Sequence, residues 1–168
     1  PPRRTLPHTR RMRNPLSVHR SAHGFSLIEL VIAIAILGIV GSLAYPSFMG
    51  SIRKGRRAEA FAALSAVQQA QERWRANNAS YASNLSAAAP AGLGLSATTG
   101  GGLYTISLAN TSATGYDAVA TAVSGTTQID DTTCAKLGVR MNNGNLTYAG
   151  AGAAGSLSYA ATSTCWNR

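Results

Sequence analysis

The sequence predicts an α+β fold: a long N-terminal α-helix with a protruding apolar half, packed by its C-terminal half on a small antiparallel β-sheet. Three observations predict it. An uncharged apolar run from Leu30 to Ile52 is long enough to cross a bilayer. Apolar residues at helical spacing (Phe61, Leu64, Val67, Ala70, Trp74) continue past it. Four short β-compatible runs separated by turn residues fill the C-terminal part.

The leading segment carries most of the charge imbalance. The 168-residue chain has a formal net charge of +9, and six of its fifteen Lys and Arg lie before Gly24, with no acid among them. Residues 25–168 carry nine basic and six acidic side chains, a net of +3. All three histidines (His8, His19, His23) also precede Gly24. If that segment is removed, no Ser-His-Asp or Cys-His nucleophile can be assembled, and no histidine-bearing zinc or iron site. Lys54 and Lys136 stand in no Ser-x-x-Lys context. The glycine run at 98–103 lacks the Lys-Ser/Thr of a phosphate loop. No enzyme activity and no cofactor are expected.

The apolar run poses one puzzle, Glu29. A carboxylate in hydrocarbon costs several kcal/mol without a partner. The positions three and four residues on, Ile32 and Ala33, offer none. A cleaved secretory signal has a shorter apolar region, and an ordinary signal anchor leaves Glu29 unexplained. Cleavage between Gly24 and Phe25 explains it. The new α-amine, with a reference pKa of about 7.7–8.0, would be mostly positive and could pair with Glu29 of its own or a neighbouring chain. One polar pair in an apolar seam fixes register, because slipped packings leave a charge unmatched.

The stretch Gly24-Phe-Ser-Leu-Ile-Glu-Leu30, the long apolar run, Gly38 and Pro46 together resemble the type IV prepilins, and the later residues resemble their minor-pilin branch. The resemblance implies cleavage after Gly24 by a membrane prepilin peptidase and N-methylation of Phe25. It implies insertion in the bacterial inner membrane as a single-pass protein with a cytoplasmic N-terminus, then transfer to an extracellular pilus or the periplasm. Its implied partners are other pilin subunits, the assembly platform and its ATPase, with DNA a further partner that no residue pattern here supports. A filament for motility, adhesion or DNA uptake is the implied product. Met12 is an alternative start giving a shorter leader. A type II secretion pseudopilin shares the same N-terminal logic, and a signal-anchored periplasmic binding domain is the rival from another class.

The elements follow in order. One helix from about Ser26 to Asn77 would be roughly 75 Å long. Pro46 removes one amide donor and costs ~3 kcal/mol in an isolated helix. Either it makes a static kink, or, as the resemblance implies, residues 38–46 lose helicity in the assembled fibre. The face opposite the apolar one carries Arg57, Gln68, Gln71, Glu72 and Arg75. Residues 82–102 read as a Gly/Ala/Ser-rich loop. Strands are expected at 103–109, 116–123, 134–141 and 146–150, the last pair joined by an Asn-Gly turn. An exported chain would pair Cys134 with Cys165, worth ~4 kcal/mol on the chain-entropy model; a cytosolic one would leave two buried thiols. Within the resemblance that bridge bounds a variable loop, 135–164; Tyr148 and Tyr159 in it, and Trp166 just beyond it, are contact residues or core packing. The basic cluster Arg53–Arg57 has three readings: a solvated or lipid-head-group-facing collar, ion pairing to Glu59 or Glu72 between subunits, or DNA binding.

The expected organisation is therefore a cleaved basic leader (1–24), an apolar transmembrane or filament-core helix (25–52), its amphipathic continuation (53–78) and a globular head (79–168).

Overall fold

The computed structural model describes residues 24–159 and 163–166; the basic leader lies almost wholly outside them. Helix α1 runs Leu27–Arg75. Strands β1 (Tyr104–Ala109), β2 (Gly115–Ala122), β3 (Lys136–Asn142) and β4 (Asn145–Ala151) follow, and a single 3-10 turn covers Thr164–Trp166. The four strands pair antiparallel in the order β1-β2-β3-β4, a meander in which sequence neighbours are spatial neighbours. The α+β class expected from the sequence is what forms.

The chain divides into two compact units, residues 1–41 and 42–168. Among the described residues, the first contains only the start of α1. Ser26 accepts the first helical amide, Leu30 N to Ser26 O at 3.1 Å, and Glu29 stands in the first turn. The second contains the head. There α1 lays Ala60, Leu64 and Val67 on the sheet, and all three are essentially inaccessible. The sheet answers with small residues on β2. Ala118, Ala120 and Ala122 stand opposite Leu108, Ile106 and Tyr104 of β1. Leu137 and Val139 of β3 complete the floor. The small alanines leave room in the shared core for the larger side chains, and Tyr104 and Tyr116, both buried, supply much of its volume.

The β3–β4 turn obeys its sequence signal. Asn143 and Gly144 both have positive φ, 48° and 81°, which a two-residue type I′ hairpin requires. This pins Asn142 opposite Asn145 and hence Val139 opposite Tyr148.

Two expectations need correction. Gln71 was placed on the solvent side of α1, but it is fully buried. Its side-chain amide donates to Ala82 O and accepts from Ala82 N, both at 2.9 Å. The buried stripe is rotated accordingly, and Phe61 and Trp74 are only half-buried. Cys134 was placed inside a strand, but it precedes β3, because its amide donates to Asp131 Oδ1 at 3.1 Å instead of to a ladder partner.

Candidate functional site

Three regions of the described structure carry the residues that the sequence singled out. The first is the apolar surface of α1. Its most apolar 18-residue window has a mean hydropathy of 2.6 and no buried residue. Phe25, Leu37 and Leu43 are 85%, 69% and 77% exposed. Water does not tolerate a continuous surface of this kind, so lipid or protein must cover it. Glu29 is the one acid on it. Its place in the first turn suits the partial positive charge of a helix N-terminus, an effect of about 0.3–1 kcal/mol. Helix α1 runs through Gly38, Gly41 and Pro46. A Cβ at either glycine would meet nothing within 4 Å, so packing within one chain does not require glycine there.

The second region is the basic cluster. The sequence offered it lipid, other subunits or DNA; the structure gives most of it to the chain's own β2–β3 loop. Arg57 Nε and Nη2 donate to the two carboxylate oxygens of Asp131 at 2.7 and 2.9 Å. Arg53 Nε donates to Thr127 O at 3.2 Å, and its Nη2 lies 3.5 Å from Asp130. Arg56 bonds Thr127 Oγ1. Gln128, fully buried, donates to Asp131 Oδ2 at 3.3 Å. Glu59, suggested as a partner for this cluster, instead accepts from Gly101 N at 2.8 Å. Burial alone would raise the pKa of Asp131, but the Arg57 guanidinium and the Cys134 and Thr133 amides hold it below the usual carboxylate range. Lys54 is left exposed.

The third region is the end of the chain. Cys134 and Cys165 are joined by a disulfide. It lies beside Trp166, whose Nε1 donates to Ala149 O at 2.8 Å. The Trp166 ring packs against Phe61 of α1 and Tyr148 of β4, with centroids 4.8 and 4.5 Å away. On the other face of the sheet, Arg140 donates to both carboxylate oxygens of Asp117 at 2.6 and 2.7 Å. Its guanidinium also lies 4.0 Å from the Tyr159 ring centroid. Arg140 lowers the pKa of Asp117. Burial, then the Asp117 charge, pushes Tyr159 up to about 12. Of the three aromatics weighed as contact residues, Trp166 and Tyr159 pack within the head, and Tyr148 does so with one edge in solvent.

Sequence reasoning missed Asp131, Asp117, Arg140 and Gln128. Two Asp in succession at 130–131 were a visible signal, but nothing local tied them to α1, 74 residues away. Among the described residues no cluster of three or more His, Cys, Asp or Glu could hold a metal ion.

A four-stranded α+β head and a helix whose apolar surface nothing in the chain covers define the class of protein that must bury that surface in lipid or against other subunits. Comparison with known proteins places it more narrowly. Residues 19–45 match the prokaryotic N-terminal methylation motif. Residues 46–138, more than half of the chain, match the family described as type IV minor pilin ComP, DNA uptake sequence receptor. The chain belongs to that family of type IV minor pilins. It is 35% identical over 101 residues to the type IV wide pilus major component PilA4 of Thermus thermophilus, covering 60% of this chain and 74% of that protein. It is also similar to type II secretion system core protein G. The identity is 32% over 62 residues in Klebsiella michiganensis, covering 37% of this chain and 44% of that protein. In Aeromonas hydrophila it is 34% over 62 residues, covering 37% and 43%. The chain thus spans less than half the length of these two secretion proteins.

Proposed function

We propose that this protein is a non-enzymatic minor subunit of a type IV pilus that is cut between Gly24 and Phe25 and packs residues 25–52 into the filament core. Residues 53–78 continue the helix into the head, and residues 79–168 form the remainder of it. The exposed apolar surface of α1, with Glu29 as its only acid, carries this reading. The methylation motif matched at 19–45 brackets the cleavage site and agrees with it. Before assembly the chain spans the inner membrane once, with its N-terminus in the cytoplasm, where prepilin peptidase removes the leader. The assembly platform and its ATPase then transfer it to the fibre.

Glu29 acts as the assembly key by pairing with the Phe25 amine of an adjoining subunit. First-turn stabilisation of about 0.3–1 kcal/mol does not offset a carboxylate left alone in hydrocarbon. Gly38, Gly41 and Pro46 weaken the helix by roughly 5 kcal/mol relative to alanine at the same places. With no packing reason for either glycine in one chain, this favours a segment able to unwind in the assembled fibre. The matches to core protein G cover about 60 residues, whereas the minor-pilin family covers 46–138, which takes in three strands of the head or their beginnings. That extent favours a pilus over a secretion pseudopilus. The same family description makes DNA the partner to test, and DNA uptake the first role to examine beside motility and adhesion.

The experiment is mass spectrometry of the mature protein taken from sheared filaments. The expected N-terminus is Phe25, carrying one added methyl. Any other N-terminus refutes the processing step. Glu29→Gln is expected to abolish incorporation while leaving cleavage intact; filaments formed as before would remove the ion-pair key.

A further inference from the structure

If DNA is the partner, the cationic cluster at Arg53–Arg57 is poorly placed to hold it, because Arg53, Arg56 and Arg57 spend their donors on the β2–β3 loop. The other end of the amphipathic helix differs. Arg73 is exposed, and its side chain makes no hydrogen bond or ion pair among the described residues. Arg75 donates to Asn78 O at 2.6 Å, and its guanidinium lies 5.9 Å from the Tyr81 ring centroid. Between the two arginines stands Trp74, half-buried. Asn78 fixes this corner by donating its side-chain amide to Trp74 O at 2.8 Å.

Trp74 also lines a cleft of about 280 Å³ between the end of α1 and the loop that follows. Pro90 and Leu93 share its apolar lining, and Arg73, Asn77 and Asn78 its polar part. A drug-sized ligand needs about 300–1,000 Å³, so this space suits a single ring system. An aromatic wall, amide groups and a free guanidinium together recognise a flat heterocycle with an anion attached. Glu72, the residue before Arg73, interacts with Tyr81, whose pKa is raised first by burial and then by the Glu72 charge.

We propose that this cleft takes one unpaired base of single-stranded DNA, with the base against Trp74 and a flanking phosphate on Arg73. The proposal rests on the DNA-uptake reading and gives it a place. It also predicts a preference for strands or frayed ends over intact duplex, because paired bases cannot leave the stack without cost. A helix C-terminus favours cations for purely structural reasons, so the test must separate binding from stability.

Fluorescence anisotropy of a labelled oligodeoxythymidylate, titrated with the full chain in detergent micelles, reads the affinity. Trp74→Ala is expected to weaken binding about 5- to 150-fold, the range for loss of one base stack. Trp74→Phe, which keeps a ring and protects the fold, should retain most of the affinity. Arg73→Gln should lower the slope of log affinity against log salt by about 0.7, the single-strand value for one phosphate contact. An abasic strand of equal length should bind like the Trp74→Ala pair. Wild-type affinity in Trp74→Ala, equal binding of the abasic strand, or an Arg73→Gln salt slope unchanged from wild type would overturn the cleft assignment. Duplex binding indifferent to both substitutions would overturn the cleft but leave the DNA-uptake reading standing. Failure of the wild-type protein to bind any DNA would remove both.

Discussion

Replacing Arg57 with methionine tests how the head is fastened to its helix. Methionine keeps most of the side-chain volume and deletes the guanidinium. The Arg57 and Asp131 side chains are 12% and 4% exposed, so the pair belongs with buried ion pairs and not with surface ones worth 0–1 kcal/mol. Asp131 would keep three weaker donors, Cys134 N, Gln128 Nε2 and Thr133 Oγ1, at 3.1, 3.3 and 3.5 Å. Removing one partner of a buried pair costs about 3–5 kcal/mol, because the other charge is left uncompensated. At roughly 4 °C per kcal/mol for a domain of this size, that is a fall in Tm of roughly 12–20 °C. In the wild-type protein the depressed Asp131 pKa adds stability above the unfolded value of about 3.9, lost as pH falls through the folded value. In Arg57→Met only burial and the weaker donors act, and the shift reverses. The variant's deficit should then shrink as the pH is lowered from about 7 to about 4, because its Asp131 takes up a proton more readily than the wild-type group, which Arg57 holds ionised. Thermal unfolding of the full chain in detergent across that range is the assay. Arg57→Met/Asp131→Asn should recover most of the loss. A loss under about 1 kcal/mol, or a double variant no better than the single one, would refute the argument.

Further outcomes follow from other contacts. Gln71→Ala strands the Ala82 amide and carbonyl in the core and should cost about 1–3 kcal/mol for each group left unpaired, read by denaturant unfolding. Reducing Cys134–Cys165 should retard the protein on a denaturing gel and lower stability by about 2–4 kcal/mol; unchanged mobility would contradict the bridge. Gly150→Ala would run a Cβ into Cys165 Sγ and Cβ, and overpacking should cost about 1–3 kcal/mol. Asp117 and Asp131 both have lowered pKa values. Stability should therefore hold from pH 7 to about 4 and decline below that as the two folded-state carboxylates protonate. Calorimetry at a series of pH values checks the sign.

Much of the fold was legible because it is local. All four strands end within two residues of their expected limits, since alternation and the Asn-Gly turn are written in adjacent residues. Leu64, Val67 and Ala70 were read as buried from helical spacing, and they are. Gln71 was misplaced because spacing ranks residues by polarity, and a buried amide is admissible only when a particular backbone segment, here Ala82, meets it. The contacts of Arg57 with Asp131 and of Arg140 with Asp117 bridge 74 and 23 residues. Nothing near either arginine announces its partner. The apolar run and Glu29 were plain in the sequence for the opposite reason: their meaning is chemical and needs no tertiary contact.

The contact of Trp166 with Phe61 and Tyr148 has a mechanical consequence. A fibre subunit is pulled along its helix, and strands resist such force well in shear and poorly when peeled from an edge one bond at a time. β4 is an outermost strand of the sheet. With the indole set against both α1 and β4, and the adjacent cystine tied back to the residues before β3, traction entering through the helix is shared across the sheet. The rim at β4, one of the sheet's two outer strands, is thereby braced against peeling.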